Sequence, residues 1–150
     1  MAKFVFSMQN LLDMKEKIEE QEKNNYSRAN MRLQEAEEKL SLLQNRQRDA
    51  QNQLAEVMVS ALDILKIRQK ENDVEILKMY VLQQEVVVRQ RGRELNEARE
   101  RLNEAMKERK TFEKLREKAL EEFVAEENRK EQKEVDELVS YRYGTKAVSM

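Results

Sequence analysis

Almost nothing in this chain can stop a helix. It has no proline and only two glycines in 150 residues, Gly92 and Gly144. Proline removes a backbone donor and clashes with the preceding turn, and glycine supplies the conformations of tight turns and helix ends. A chain nearly without them can extend helices to great length and form few other elements. Charged residues make up 39% of the sequence and aromatics only 5%, so a wide globular core cannot be filled from this inventory. The burial open to it is a narrow stripe between long helices, and its function has to lie in their length and ends.

Charge and residue types exclude several classes of function. The mean hydropathy is −0.94, low for a packed globule. Lys and Arg number 29 against 30 Asp and Glu, with the two signs interleaved, which makes a poor general phosphate binder; no nucleic-acid partner is expected. Without cysteine or histidine there is no disulfide, no thiolate or imidazole metal ligand and no ordinary nucleophile or base, and no Gly-rich phosphate loop occurs. Glu19 and Glu20, like Glu121 and Glu122, read as solvated charges rather than an acid/base pair. We therefore expect no enzyme activity, no catalytic residue, no cofactor and no metal. The apolar run at Phe4–Phe6 is too short for a signal-peptide core, and no stretch approaches the roughly 20 apolar residues of a membrane span. The expectation is a cytoplasmic protein with no direct membrane insertion.

Periodicity supplies the architecture. Apolar or small residues recur at Tyr26, Ala29, Leu33, Ala36, Leu40, Leu43, then Gln47, Ala50, Leu54, Val57 and Ala61, with alternating steps of three and four. That 3.5-residue repeat is the mark of a left-handed coiled coil. Backwards, the seam is expected to continue through Glu22 to Ile18, Met14 and Leu11, with a stutter near Glu22. Ser7 is the expected N-cap, with Phe6 and Leu11 as a hydrophobic staple. A second seam runs Val88, Arg91, Leu95, Ala98, Leu102, Ala105, Arg109, Phe112, Leu115 or Arg116, Ala119 and Phe123. Asn72 and Glu75 have capping-box spacing for its start.

The spacing predicts an all-α fold, a long antiparallel two-helix coiled-coil hairpin with a short helical connection, as one domain over 1–150. Helix one is expected over about 8–58, the connection over 59–73, helix two over 74–142, and a disordered tail at 143–150. A monomer is expected when the protein is isolated. A bend centred near Leu65 or Lys66 would place Leu43 near Val88 and Ser7 near Val124. Residues beyond about Asn128 would then have no partner on helix one, leaving Val135, Leu138, Val139, Tyr141 and Tyr143 on an unpaired helix. The same register would bring Arg46 and Arg48 to the height of Arg89, Arg91 and Arg93, either a solvated basic band or a dock for an acidic segment. Phe112 and Phe123 read as seam residues. Tyr80 stands between seam and surface, and Phe4 and Phe6 either plug the end of the coiled coil or touch a partner.

Taken together, these residues carry a resemblance. The opening Phe4-x-Phe6-x-x-x-x-Leu11-Leu12-x-Met14-Lys15 resembles the start of flagellar export proteins of the FliJ family. So does Asn96-Glu97-Ala98, and so does the stretch from Glu108-Arg109-Lys110-Thr111-Phe112 to Glu117-Lys118. The tail Glu131-Gln132-Lys133-Glu134-Val135-Asp136-Glu137-Leu138 is similar to the family's closing signature. The pieces come in the family's order and span nearly the whole chain.

The resemblance implies an antiparallel two-helix coiled coil similar to the central stalk of rotary ATP synthases. Such a stalk sits in the pore of the hexameric export ATPase FliI, with its paired termini toward the ring. It also contacts the export-gate protein FlhA and the export chaperones, on the inner face of the cell membrane at the flagellar base. Carried onto this sequence, the ATPase-ring contact falls on Phe4, Phe6, Val135, Asp136, Glu137, Leu138 and Tyr141. The export-gate contact falls on Leu43, Tyr80 and Arg91. Family members can present aromatics on helix one where this chain has Leu43, Arg46 and Ala50, a departure from the pattern. The competing readings are the equivalent stalk of a virulence-type secretion system, a prefoldin-like holdase chaperone, and a structural coiled-coil spacer.

Overall fold

The computed structural model describes residues 2–60 and 63–148, with side chains as far as Gly144. Two helices account for nearly all of it: α1 (Gln9–Ser60) and α2 (Ile64–Val148). The all-α expectation holds, and no strand occurs among the described residues. Contacts divide the chain into two compact units, Met1–Glu19 with Ala105–Met150, and Glu20–Glu104. Each unit pairs a length of α1 with an antiparallel length of α2.

Helix α1 begins one residue later than expected. The Phe6 carbonyl accepts from Gln9 N–H at 3.1 Å and the Met8 carbonyl from Leu12 N–H at 3.0 Å, so Met8 rather than Ser7 is the half-helical entry residue. Phe6 is buried as the staple required, but its buried companion on the first turns is Leu12, while Leu11 is exposed. From Leu12 the buried and half-buried positions run through Lys15, Glu19, Glu22 and Tyr26, and on in unbroken steps of three and four to Val57. There is no stutter at Glu22, and the expected continuation through Ile18, Met14 and Leu11 is one residue out of phase. From Tyr26 to Val57 the expected seam is the observed one; Ala61 lies outside the described residues.

The end of α1 and the start of α2 correct the expected connection. Ser60 Oγ donates to the Glu56 carbonyl at 2.6 Å inside the last turn of α1. Asp63 then caps α2: its carboxylate accepts from Leu65 N–H at 3.1 Å, and its carbonyl accepts from Ile67 N–H at 3.1 Å. Residues 64–73 are therefore helical, and Asn72 and Glu75 lie inside α2 rather than at its start. Residues 61 and 62 of the connection lie outside the described residues. At the far end α2 continues through 143–148, where a disordered tail was expected; with no proline there, nothing breaks it.

In the unit Glu20–Glu104 the core is built from Ala36, Ala50, Val81, Leu95 and Ala98, with Gln84 buried among them. Alanine at the seam lets the two backbones approach, and Gln84 Nε2 satisfies itself by donating to the Ala36 carbonyl at 3.0 Å. Lys70 Nζ donates to Gln53 at 3.1 Å, and Arg99 lies over the Tyr26 ring at 6.0 Å. These contacts place Leu43 opposite the turn around Leu77, not Val88. An antiparallel register magnifies an error in the bend, because each residue by which the turn moves shifts the facing residue by two. The same shift separates the arginines. Arg46 lines an open groove with Asp73, Ile76 and Leu77, well away from Arg89–Arg93, so the combined basic band does not form.

In the unit Met1–Glu19 with Ala105–Met150, polar residues occupy part of the seam. Glu19 is buried and ion-paired with Arg109, which also donates to Glu113 at 2.9 Å. The hydrogen bond from Glu113, then that from Glu19, raises the Arg109 guanidinium above its ordinary value. Glu19 is thus a seam residue rather than a solvated charge. Lys15 bonds Glu108 at 2.9 Å and lies 6.0 Å over the Phe112 ring, and Arg116 reaches Gln9 at 3.1 Å.

Gly92 offers a direct test of the helical reading. It sits inside α2 with ordinary backbone angles, and a Cβ added there would meet nothing within 4 Å. Gly92→Ala should therefore raise stability by about 0.5–1 kcal/mol. Urea unfolding of the two proteins measures it; a loss would mean that the position is crowded.

Candidate partner-binding site

The first group of candidate residues lies in the unit that holds both chain ends. Residues 2–6 are not helical, yet they prolong the cover over α2 where α1 has not begun. Phe4 packs against Phe123 with ring centroids 5.5 Å apart and planes tilted by 55°, and Arg116 lies 5.6 Å over the Phe4 ring. Phe6 is 7% exposed, its side chain spent inside the unit. With Leu115, Ala119 and Phe123 this segment lines an open groove whose rim carries Lys118, Glu122 and Glu126. Leu115 and Arg116 are both exposed, and between Phe112 and Ala119 it is Arg116 that reaches across, to Gln9 and to the Phe4 ring.

Beyond Glu127 the cover ends. Every residue from Asn128 to Gly144 is exposed. Among them are Val135 at 52%, Leu138 at 64% and Val139 at 45%, together with Tyr141 and Tyr143. Asp136 accepts from Gln132 Nε2 at 3.2 Å, one turn earlier, and Arg129 pairs with Glu126 at 3.5 Å. The stretch is helical and bears the exposed apolar groups Val135, Leu138 and Val139, along roughly 25 Å at 1.5 Å per residue. The sequence expectation of an unpaired end beyond Asn128 agrees with this exposure.

The second group lies in the other unit. Leu43 is a half-buried seam residue, Tyr80 is exposed, and Arg91 is half-buried with its guanidinium on both oxygens of Glu94, at 3.0 and 2.9 Å. Leu43 and Tyr80 come to similar heights. Arg91 lies three turns further along α2 and is not brought to them. Sequence reasoning missed the exposed apolar groups around Tyr80, namely Ile76, Met79, Leu82 and Val86. The signal was present: between Val74 and Val88 apolar residues occur on every side of the helix, more than one seam can bury.

No helix among the described residues is long and apolar enough to cross a membrane. The fold defines a class, a two-helix coiled-coil protein whose helices carry exposed apolar surfaces. Residues 4–147 match the family model of the flagellar FliJ protein, and the chain belongs to that family. It is accordingly a component of flagellar protein export. No curated protein and no solved structure matches the chain.

Proposed function

We propose that the chain is the stalk of a flagellar type III export apparatus. It binds the hexameric export ATPase FliI through its chain-end unit and links the ring to the export gate FlhA and to export chaperones. The observation that carries this reading is the exposed stretch of α2 beyond Asn128, in a chain of this family. Apolar groups on a strongly charged helix gain by being covered, and the wall of a ring pore can cover them. Val135, Leu138 and Tyr141 make the ring contact, together with the exposed edge of Phe4. Phe6, buried already, positions the N-terminal segment against α2. The apolar surface around Tyr80 faces the export gate, with Leu43 beneath it. The assembly sits against the inner face of the cell membrane at the flagellar base.

Mixing the purified chain with the export ATPase of the same apparatus tests the reading. The chain should promote hexamers and raise ATP turnover. Tyr80→Ala should leave that stimulation intact and weaken binding to the gate protein. A chain that neither binds the ATPase nor changes its turnover would remove the proposal.

A further inference from the structure

The charges around the uncovered end of α2 are sorted by face. At 3.6 residues per turn, Glu131, Val135, Leu138 and Arg142 follow in steps of four, three and four along one side, with Val139 beside Val135. Glu127 and Glu134 fall on one border of this apolar face and Asp136 on the other. Lys130 and Lys133 turn to the opposite side, and so does Glu137, while Arg129 falls beside Asp136. Arg129 spends its charge there on Glu126, at 3.5 Å. An ordinary solvated helix intersperses its signs on all faces. Here the apolar groups are bordered mainly by carboxylates, with Arg142 the base in line.

We propose that this face docks in an apolar groove of its protein partner rimmed by lysine and arginine, with Glu131, Glu134 and Asp136 supplying the charge complement. The inference rests on the reading of this segment as the ring contact and gives that contact its chemistry and its orientation. Charges bordering an interface act mainly on the rate of encounter and on its salt dependence, while the apolar groups hold the complex once formed. Glu137, pointing away, contributes neither.

Full-length variants decide it, because all the changed side chains are exposed and the bond that Asp136 accepts from Gln132 is local to one helical turn. Association with the export ATPase is measured by surface binding at low and at physiological salt, with helicity checked by circular dichroism. Glu131→Lys with Asp136→Lys should slow association at least tenfold at low salt and flatten the salt dependence. Glu131→Lys alone should still slow association several-fold, whereas Glu137→Lys, the same single charge reversal on the other side, should stay within about twofold of the parent. Equal losses from the two single variants would overturn the orientation while leaving the ring reading intact. No binding by the parent chain would remove the ring reading and this inference with it. Self-association of the parent chain, abolished by the Glu131/Asp136 pair of changes, would make a second copy the occupant and overturn the proposal.

Discussion

Leu12→Ala is expected to cost about 2–4 kcal/mol of folding stability, while Leu11→Ala costs about 1 kcal/mol or less. The two residues are neighbours of identical chemistry, so helix propensity and composition cancel between them. Leu12 is 3% exposed, the most enclosed apolar side chain of its unit, and Leu11 is 43% exposed. A deleted core leucine loses its transfer free energy and leaves a cavity. In a two-helix seam the cavity opens partly to solvent, which holds the cost toward the lower end of the range. Urea unfolding followed by helicity measures both variants. Equal losses would return the seam to Leu11, Met14 and Ile18.

That pair also shows where sequence reading fails. Between Tyr26 and Val57, and again from Val88 to Phe112, seam positions are mostly leucine, valine or alanine among charged neighbours, and the repeat reads directly. Before Tyr26 the sequence offers two stripes. One is apolar, Leu11, Met14 and Ile18. The other holds Leu12, Lys15, Glu19 and Glu22. Hydrophobicity favours the first, and the chain buries the second. Glu19 can be buried because Arg109, far along the sequence, meets its charge, and Glu113 holds Arg109 in place. Such a pairing is invisible to any local pattern. A buried pair of this kind is weak evidence for added stability, since both ions lose hydration; its attested use is to fix register.

The connection was misjudged for a different reason. Asn72 and Glu75 carry a genuine capping signature, but a cap acts only where a helix has been interrupted, and nothing between Ile64 and Val74 interrupts this one. Asp63 takes the role nine residues earlier. With the bend lying earlier than Leu65 or Lys66, the antiparallel geometry doubles its displacement in the facing pairs, so that Leu43 meets the turn around Leu77 and the arginine cluster expected around Arg46 and Arg91 does not form. The uncovered end beyond Asn128 survived the error because its exposure depends on where α1 and its N-terminal segment finish, and that limit lies near Glu127 in either register.

Removal of residues 134–150 is expected to abolish stimulation of the export ATPase while leaving the paired helices folded. Folding should survive because the described side chains from Asn128 onward are all exposed, so their loss takes no buried contact from the seam that ends at Phe123 and Glu127. The midpoint of thermal unfolding should therefore stay within a few degrees of the full chain, since stability shifts of under about 0.5 kcal/mol move it no further. Function should not survive, because the same cut removes Val135, Leu138 and Tyr141 together. Each exposed leucine or valine that becomes fully covered in a complex contributes about 1.5–3 kcal/mol of apolar transfer. Loss of two such groups lowers an affinity by a factor of at least a hundred, at 1.4 kcal/mol for each tenfold. Hexamer formation and ATP turnover, measured with full-length and truncated chains at equal concentration, give the result. A truncated chain that folds and still stimulates fully would move the ring contact to the groove beside Phe4 and Phe123, where the N-terminal segment already covers α2.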